Sequence, residues 1–334
     1  MTTAPTPSVT EAPAPAATLA AARRRIERAQ RCLLLTHIAP DGDAVGSLLG
    51  CGLALEAAGK TVVMACADPV PDMFQFLTGA DRIVRQFNGA FDLVVALDAA
   101  DFGRLGGLGQ ALPRPPDLLF DHHITNPGYA DLNVIDVAAA STAELVTACL
   151  ADLGLPLTRP SAEALLAGVV TDTLGFRTAN TSAKTLATTQ QLLAAGASLS
   201  EVYDKAFYKR SFAAVRFWGE GLARLKLEGR IVWALLPLEA RKAANYAGQG
   251  DADLINVLTS VREADIAIIF VERNDGKVKI SWRAVPGFNV ATLAASFGGG
   301  GHAPAAGAEI SGTLAEVETR VLAATRALLD ARPR

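Results

Sequence analysis

The chain has 334 residues, which is too long for one average domain and suits two domains of ordinary size. Half of the residues are hydrophobic, so the chain has enough apolar side chains to build buried cores. The formal net charge of −3 excludes a broad basic field that would hold long nucleic acid nonspecifically. A nucleic-acid substrate is therefore expected to be short, or held in a local pocket.

Residues 1–18 are rich in Pro, Ala and Thr, and this composition predicts a disordered tail without the features of a secretory signal. The chain has no run of 18 or more apolar residues, so no membrane span is expected. Four cysteines lie among apolar neighbours and form no CxxC pair: Cys32, Cys51, Cys66 and Cys149. This pattern favours core residues in a reducing cytoplasm over disulfides or zinc ligands.

Short apolar strands alternate with helices in the first half of the chain. Strands are predicted at residues 32–36, 61–66, 93–97 and 118–120, and a helix at 44–58. Three further helices, at 141–153, 161–170 and 182–195, each begin with a serine suited to capping the helix. This alternation predicts an α/β fold with a mainly parallel sheet covered by helices on both faces.

The second half has a different pattern and predicts a smaller α+β domain. A helical connector, residues 198–227, is richer in charged and aromatic residues than the first half. Strands are predicted at 231–236, 266–272 and 278–283, and the last two form a hairpin through the Asn274-Asp275-Gly276 turn. A last helix is predicted at 314–330. The domains are therefore expected at residues 19–197 and 228–331.

Polar residues follow three predicted strands at the point where each strand ends. His37 follows the first strand, Asp98 the third and Asp121 the fourth. In parallel sheets, ligands bind beyond the carboxyl ends of the strands. An aspartate in such a place can also cap the next helix, and for Asp98 alone that interpretation is favoured.

The segment THIAPDGDAVGS adds Asp41 and Asp43 to the histidine at position 37. Gly42 and Gly46 are expected to let the backbone turn tightly here. Two carboxylates one residue apart repel each other unless cations neutralise them, and imidazole with carboxylates suits a metal such as Mn²⁺. For this segment alone, a solvated turn with an Asx hydrogen bond is the alternative.

Further candidates are the Asp121-His122-His123 motif and Asp172, in GVVTDTLGFRT. Adjacent histidines after a buried strand are hard to explain by packing, because both rings need partners. All four histidines of the chain, including His302, lie in candidate site segments. That concentration favours a functional site.

These motifs, in this order, resemble the DHH phosphoesterase family over nearly the whole chain after the tail. The resemblance implies two Mn²⁺ ions, with Mg²⁺ as a substitute. It implies that one ion is held by His37, Asp41 and Asp98, and the second by Asp43, Asp98, His122 and Asp172. Asp98 would bridge the two ions, His123 would face the substrate, and Asp121 would orient the histidines.

Two groups near these motifs have open interpretations. Ser141 and Thr142 begin a predicted helix, where an ordinary N-cap is favoured over a phosphate contact. Arg177 follows the Asp172 motif closely enough to reach the same pocket as a substrate-binding residue. A surface arginine is the alternative.

A run of four glycines, Gly298 to Gly301, precedes His302 and follows a predicted helix at 290–296. Glycines let backbone N–H groups approach a ligand closely, although flexible linkers have the same composition. With an upstream arginine on a strand, the run resembles the DHHA1 domain. That resemblance implies substrate binding by Arg283, Gly299, Gly300, Gly301 and His302. Ala303 and Pro304 stand where related chains often carry a basic residue, so a phosphate contact is expected to be missing.

One DHH domain followed by one DHHA1 domain is similar to the NrnA-type enzymes of the family. The resemblance implies a hydrolase of short oligoribonucleotides (nano-RNA) that also removes the 3′-phosphate of pAp, and it suggests a homodimer. A cyclic-dinucleotide (c-di-AMP or pApA) phosphodiesterase is the second hypothesis. A catalytically silent nucleotide-binding protein is the third, and it is disfavoured because all six expected ligand positions are filled.

Overall fold

The computed structural model describes residues 16–248 and 250–331, and the chain divides between Lys209 and Arg210 into two compact units. Most of the predicted tail lies outside the described residues. Its last three residues are not disordered, because the first helix already begins at Ala16. Within the described ranges, no helix has the length and apolar character needed to cross a membrane.

The first unit contains five strands and seven α-helices among its described residues. The strands are β1 (Arg31–Leu35), β2 (Thr61–Ala65), β3 (Leu93–Leu97), β4 (Leu118–Asp121) and β5 (Leu132–Ile135). The helices are α1 (Ala16–Arg28), α2 (Gly42–Ala57), α3 (Gly106–Gln110), α4 (Thr142–Cys149), α5 (Arg159–Asp172), α6 (Ala183–Ala194) and α7 (Leu199–Tyr203). The strands form one sheet in the order β2-β1-β3-β4-β5, and every pairing is parallel.

Both faces of this sheet are buried, as the continuous apolar strands predict. In β1, Cys32 and Leu34 pack into the larger core cluster, whereas Leu33 and Leu35 pack into a second cluster on the opposite face. The predicted α/β fold with a parallel sheet is confirmed. All four cysteines are buried and free, and burial raises the pKa of the Cys51 thiol to about 12.

Two local predictions in this unit are wrong. Helix α5 begins at Arg159 rather than Ser161, and its N-cap is Thr158, whose side chain accepts the Ser161 N–H. Pro160 lies in the first turn, where its fixed φ suits a helix and its missing N–H costs nothing.

The second error concerns Gly42 and Gly46, which lie inside helix α2 and not in a tight turn. A Cβ at Gly46 would lie 2.5 Å from the carbonyl oxygen of Ala164, and one at Gly42 would lie 2.1 Å from the Thr171 hydroxyl. Both glycines therefore allow α2 to pack closely against α5.

The second unit is built on a mixed sheet of six strands. They are β6 (Lys226–Glu228), β7 (Ile231–Leu236), β8 (Ile266–Glu272), β9 (Lys277–Ala284), β10 (Gly300–His302) and β11 (Ala305–Ser311). The helices are α8 (Phe212–Leu222), α9 (Leu238–Ala244), α10 (Leu254–Leu258), α11 (Val290–Ser296) and α12 (Leu314–Asp330). The order is β10-β11-β9-β8-β7-β6, and only β7 and β8 pair in parallel. The predicted α+β class of this half is confirmed.

Candidate metal centre

The carboxyl edge of the parallel sheet carries the polar residues predicted from the sequence. His37 and Asp98 lie just beyond β1 and β3, and β4 ends at Asp121. Asp43 lies in the first turn of α2, and α5 ends at Asp172. Asp98 has a φ of 56°, a left-handed conformation that is uncommon for a residue with a side chain and that marks functional turns.

The first group of side chains surrounds His37. Its Nε2 lies 3.8 Å from Asp41 Oδ1 and 3.6 Å from Asp98 Oδ2. Its Nδ1 is 2.7 Å from the carbonyl oxygen of Ile38, so Nε2 is the nitrogen that faces the carboxylates. Burial opposes the charged imidazole, but hydrogen bonding to Asp41 and Asp98 outweighs burial and raises the pKa of His37 to about 10.

The second group surrounds His122. Its Nε2 lies 3.9 Å from Asp43 Oδ2, 3.8 Å from Asp98 Oδ1 and 3.7 Å from Asp172 Oδ2. Burial, together with the charges of Asp98 and Asp172, holds the pKa of Asp43 well above its usual range. Burial also raises the pKa of Asp172 to about 7, although the charge of His122 acts in the opposite direction. Carboxylates so placed need positive charge beside them.

Asp98 belongs to both groups. Its Oδ2 faces His37, and its Oδ1 faces His122 and lies 3.7 Å from His123 Nδ1. Three sets of side chains could hold a metal ion, and the ligand atoms within each set lie within 4.8 Å of one another: His37, Asp41 and Asp98; Asp98, His122 and His123; and Asp43, His122 and Asp172. Asp98 belongs to the first two sets, and His122 connects it to the third. Imidazole nitrogens and carboxylate oxygens in such sets fit divalent cations of the Mn²⁺ type.

Asp121 organises the turn that carries the two adjacent histidines. It is fully buried, and its Oδ1 accepts the backbone N–H groups of His122 and His123 at 2.7 and 3.2 Å. The same oxygen lies 2.7 Å from His123 Nδ1, and Asn126 donates to Oδ2. Hydrogen bonding to Asp121 raises the pKa of His123 against the opposing effect of burial. Asp121 therefore orients the ring of His123 through Nδ1.

Backbone and hydroxyl donors that were not predicted from the sequence hold the carboxylates. At the start of α4, the N–H groups of Thr142 and Ala143 donate to Asp43 at 2.6 and 2.9 Å. The Thr142 hydroxyl donates to Asp98 at 2.8 Å. Ser141 is the N-cap of this helix, as predicted, and accepts the Glu144 N–H. The preference of anions for helix N-termini was the one sequence signal available for these contacts.

The remaining predicted residue of the first unit is Arg177. It is exposed in the turn after α5, where Leu174 and Phe176 have φ values of 47° and 67°. Its backbone N–H donates to the carbonyl oxygen of Thr173. This position agrees with a surface arginine as well as with a substrate contact.

In the second unit, the β-sheet brings the glycine run and Arg283 into one region. His302 in β10 pairs with Ala305 in β11, and Ala305 pairs with Arg283 in β9. The backbones of residues 302 and 283 therefore lie in register, two strands apart. The side chain of His302 lies outside the described part of the chain. Burial lowers the pKa of Arg283, which donates a hydrogen bond to the carbonyl oxygen of Trp282.

The glycines of the run differ in their surroundings. A Cβ at Gly299 would lie 2.1 Å from the carbonyl oxygen of Gly307, and Gly301 has a φ of 142°. These two glycines are required by the local backbone. A Cβ at Gly300 would meet nothing within 4 Å. Of Gly299, Gly300 and Gly301, Gly300 is thus the one whose backbone has open space beside it.

Comparison with known proteins covers both units. Residues 31–169 match the model of the DHH family, N-terminal domain, and residues 240–331 match the DHHA1 domain. A Thermus thermophilus protein named bifunctional oligoribonuclease and PAP phosphatase NrnA is 35% identical, and the match covers 88% of each chain. The Bacillus subtilis protein of that name is 28% identical, over 86% of this chain and 91% of the relative.

A solved structure gives the same result for the fold. An exopolyphosphatase-related protein from Bacteroides fragilis has a TM-score of 0.86 to this chain at 25% identity. The match covers 94% of this chain and 98% of that protein. The likeness therefore extends over most of the length of each of these proteins and is not confined to the metal motifs.

Proposed function

The chain belongs to the DHH family, and we therefore propose that it is a metal-dependent phosphodiesterase that hydrolyses short oligoribonucleotides to mononucleotides and removes the 3′-phosphate of pAp. The observation that carries this proposal is the convergence of imidazoles and carboxylates on Asp98 at one sheet edge. Relatives that span the same two domains are named for both activities. The net charge of −3 supports short substrates over long nucleic acid.

We propose that the centre holds two divalent cations, Mn²⁺ with Mg²⁺ as a substitute. One set of ligands is His37, Asp41 and Asp98, and the other is Asp43, Asp98, His122 and Asp172. The two oxygens of Asp98 face different imidazoles, which supports its role as the shared ligand. The chemistry supplied by two bound cations is charge neutralisation at phosphoryl oxygens and a lower pKa for a water molecule.

The other polar residues are proposed to bind the substrate or to orient the histidines. Asp121 holds His123 through Nδ1 and so orients its ring, and we propose that His123 binds a phosphate oxygen or gives a proton to the leaving oxygen. Asp121 itself is buried and acts through the histidines that it orients. Arg177, Arg283, Gly299, Gly300, Gly301 and His302 are proposed to bind the substrate.

The proposed domain limits are those predicted from the sequence: catalytic residues 19–197, a connector at 198–227 and a substrate-binding domain at 228–331. The chain divides within this connector, between Lys209 and Arg210, and the connector's last residues lie in strand β6 and not in a helix. The family-model matches to 31–169 and 240–331 fall inside these limits. Four free, buried cysteines support a cytoplasmic location. A homodimer stays a prediction of the family resemblance.

The proposal is tested with a panel of substrates and the purified full chain. RNAs of two to five nucleotides, a twenty-nucleotide RNA, short DNA, pAp and cyclic dinucleotides are compared with Mn²⁺ and with Mg²⁺. We expect the fastest hydrolysis for the shortest RNAs, phosphate release from pAp, and loss of both activities after chelation, with recovery on adding Mn²⁺. Faster hydrolysis of the twenty-nucleotide RNA or of cyclic dinucleotides would contradict the proposed specificity.

A further inference from the structure

A short segment between β5 and the first turn of α4 touches three of the six proposed metal ligands. The carbonyl oxygen of Ala139 lies 3.3 Å from His122 Nδ1. The N–H of Thr142 donates to Asp43 Oδ2, and its hydroxyl donates to Asp98 Oδ1. Asp43 and Asp98 are buried, so their contacts with this segment are shielded from water.

We propose that Thr142 is a positioning residue of the metal centre, whose buried hydroxyl fixes the carboxylate of Asp98 while its N–H fixes that of Asp43. This inference rests on the proposed metal-dependent function. It replaces both interpretations that the sequence left open for this residue. The N-cap role belongs to Ser141, and the Thr142 hydroxyl is fully buried and directed at Asp98, so it is not placed for a phosphate contact.

The Thr142 hydroxyl fixes the orientation of the Asp98 carboxylate. A carboxylate can rotate about its Cβ–Cγ bond, and a partly rotated Asp98 carboxylate would direct its oxygens away from both His37 and His122. The 2.8 Å hydrogen bond from Thr142 holds Oδ1 on the side of His122, which leaves Oδ2 on the side of His37. Asp98 also has a left-handed φ, and a strained backbone conformation of this kind persists only when surrounding contacts hold it.

Asp43 is fixed in a complementary way. Each of its two oxygens accepts an N–H from the first turn of α4, Oδ2 from Thr142 and Oδ1 from Ala143. These N–H groups are at the positive end of the helix, where a carboxylate is favoured. One residue, Thr142, therefore joins the carboxylates of Asp43 and Asp98 through two different atoms.

Hydrogen bonds from residues outside the centre hold the segment that carries Thr142. Glu144 is fully buried, and its Oε2 accepts the Ala140 N–H at 3.1 Å and the Thr185 hydroxyl at 2.8 Å. Asn180 donates to the carbonyl oxygen of Ala140 at 3.3 Å. A support with this many buried hydrogen bonds can keep the hydroxyl of Thr142 in one place.

The experiment measures Mn²⁺ binding to metal-free full-length protein by titration calorimetry, without substrate. Thr142→Val removes the hydroxyl and keeps the branched shape, and we expect Mn²⁺ affinity to fall by about 10- to 100-fold, as for other outer partners of metal ligands. Thr142→Ser keeps the hydroxyl and should stay within about 3-fold of wild type. Thr142→Ala takes the place of Thr142→Val if circular dichroism finds the latter unfolded.

The matched control is Thr147→Val, one turn further along α4. Thr147 is also buried, but its hydroxyl donates to the carbonyl oxygen of Ala143 and touches no proposed ligand. We expect this variant to lose stability like Thr142→Val and to keep the Mn²⁺ affinity of wild type. Equal Mn²⁺ affinities for the two valine variants would overturn the inference, as would wild-type protein that binds no Mn²⁺. Protein that binds Mn²⁺ normally but hydrolyses neither short RNA nor pAp would overturn the proposed function and leave the role of Thr142 intact.

Discussion

The two units build their candidate sites from different atoms. At the edge of the parallel sheet, side chains such as Asp98 and His122 supply the functional groups, and buried hydrogen bonds hold them. At the edge of the mixed sheet, the glycine run offers backbone instead, and missing side chains keep it accessible. The first site is therefore sensitive to the removal of atoms, and the second to their addition.

The largest expected effect comes from removing a proposed ligand. His122→Ala should lower kcat by about 10²–10³-fold or more, the loss seen when one group that stabilises transition-state charge is removed. Its Nδ1 makes only one long hydrogen bond, to Ala139, so the fold should remain intact by circular dichroism. Activity near that of wild type would reject the metal centre.

Asp43→Ala should lower kcat to a similar degree, and it should also reduce the free energy of unfolding. It leaves the buried N–H groups of Thr142 and Ala143 without their acceptors, at about 1–3 kcal/mol for each unsatisfied group. The control is Asp152→Ala, at an exposed position after α4, which should change neither kcat nor the free energy of unfolding.

An intermediate effect is expected when atoms are added to the glycine run. Gly299→Ala places a Cβ against the carbonyl oxygen of Gly307 and should reduce the free energy of unfolding by about 1–3 kcal/mol. Gly300→Ala meets open space and should change it by less than about 0.5 kcal/mol. If backbone N–H groups here bind substrate, Gly300→Ala raises KM while the stability is kept. Unchanged KM in a stable Gly300→Ala protein would remove residue 300 from the binding site.

The smallest effect is expected from a substitution that relieves backbone strain in the first unit. Leu174 is half exposed and has a left-handed φ of 47°, which costs roughly 1–2 kcal/mol for a residue with a Cβ. Leu174→Gly relieves this strain but loses about 0.5–1 kcal/mol to backbone entropy, so thermal unfolding should shift upward slightly. The same substitution at Leu186, equally exposed but inside α6, should destabilise by about 1 kcal/mol.

Much of the first unit was predictable because its strands are short, continuous apolar runs. Strand β3 occurs at the residues predicted, and His37, Asp98 and Asp121 reach one edge because parallel strands all end there. Strand β5 was missed, since its four residues include an asparagine. Strand β11 was missed because its alanines and glycine have little β-propensity, and pairing with β9 determines its conformation.

The hydrogen-bond donors that hold the carboxylates could not be predicted from the sequence, for a physical reason. Thr142 and Asp43 are 99 positions apart along the chain, so no periodicity relates them. Their contact depends on how α2 and α4 pack in three dimensions. The residue types that suit a metal can be recognised one by one, but the groups that aim them are common residues in ordinary helices.

The close packing of α2 on α5 bears on the spacing of two of the proposed metal ligands. Helix α2 carries Asp43 and helix α5 ends in Asp172, and Gly46 meets Ala164 between them. A methyl group at residue 46 would push the helices apart and widen the gap between these two carboxylates. Ca²⁺ binds oxygen at 2.3–2.6 Å and tolerates irregular shells, whereas Mg²⁺ needs about 2.0–2.1 Å. A centre that binds small divalent cations, as proposed, would therefore depend on the glycines that hold α2 close to α5.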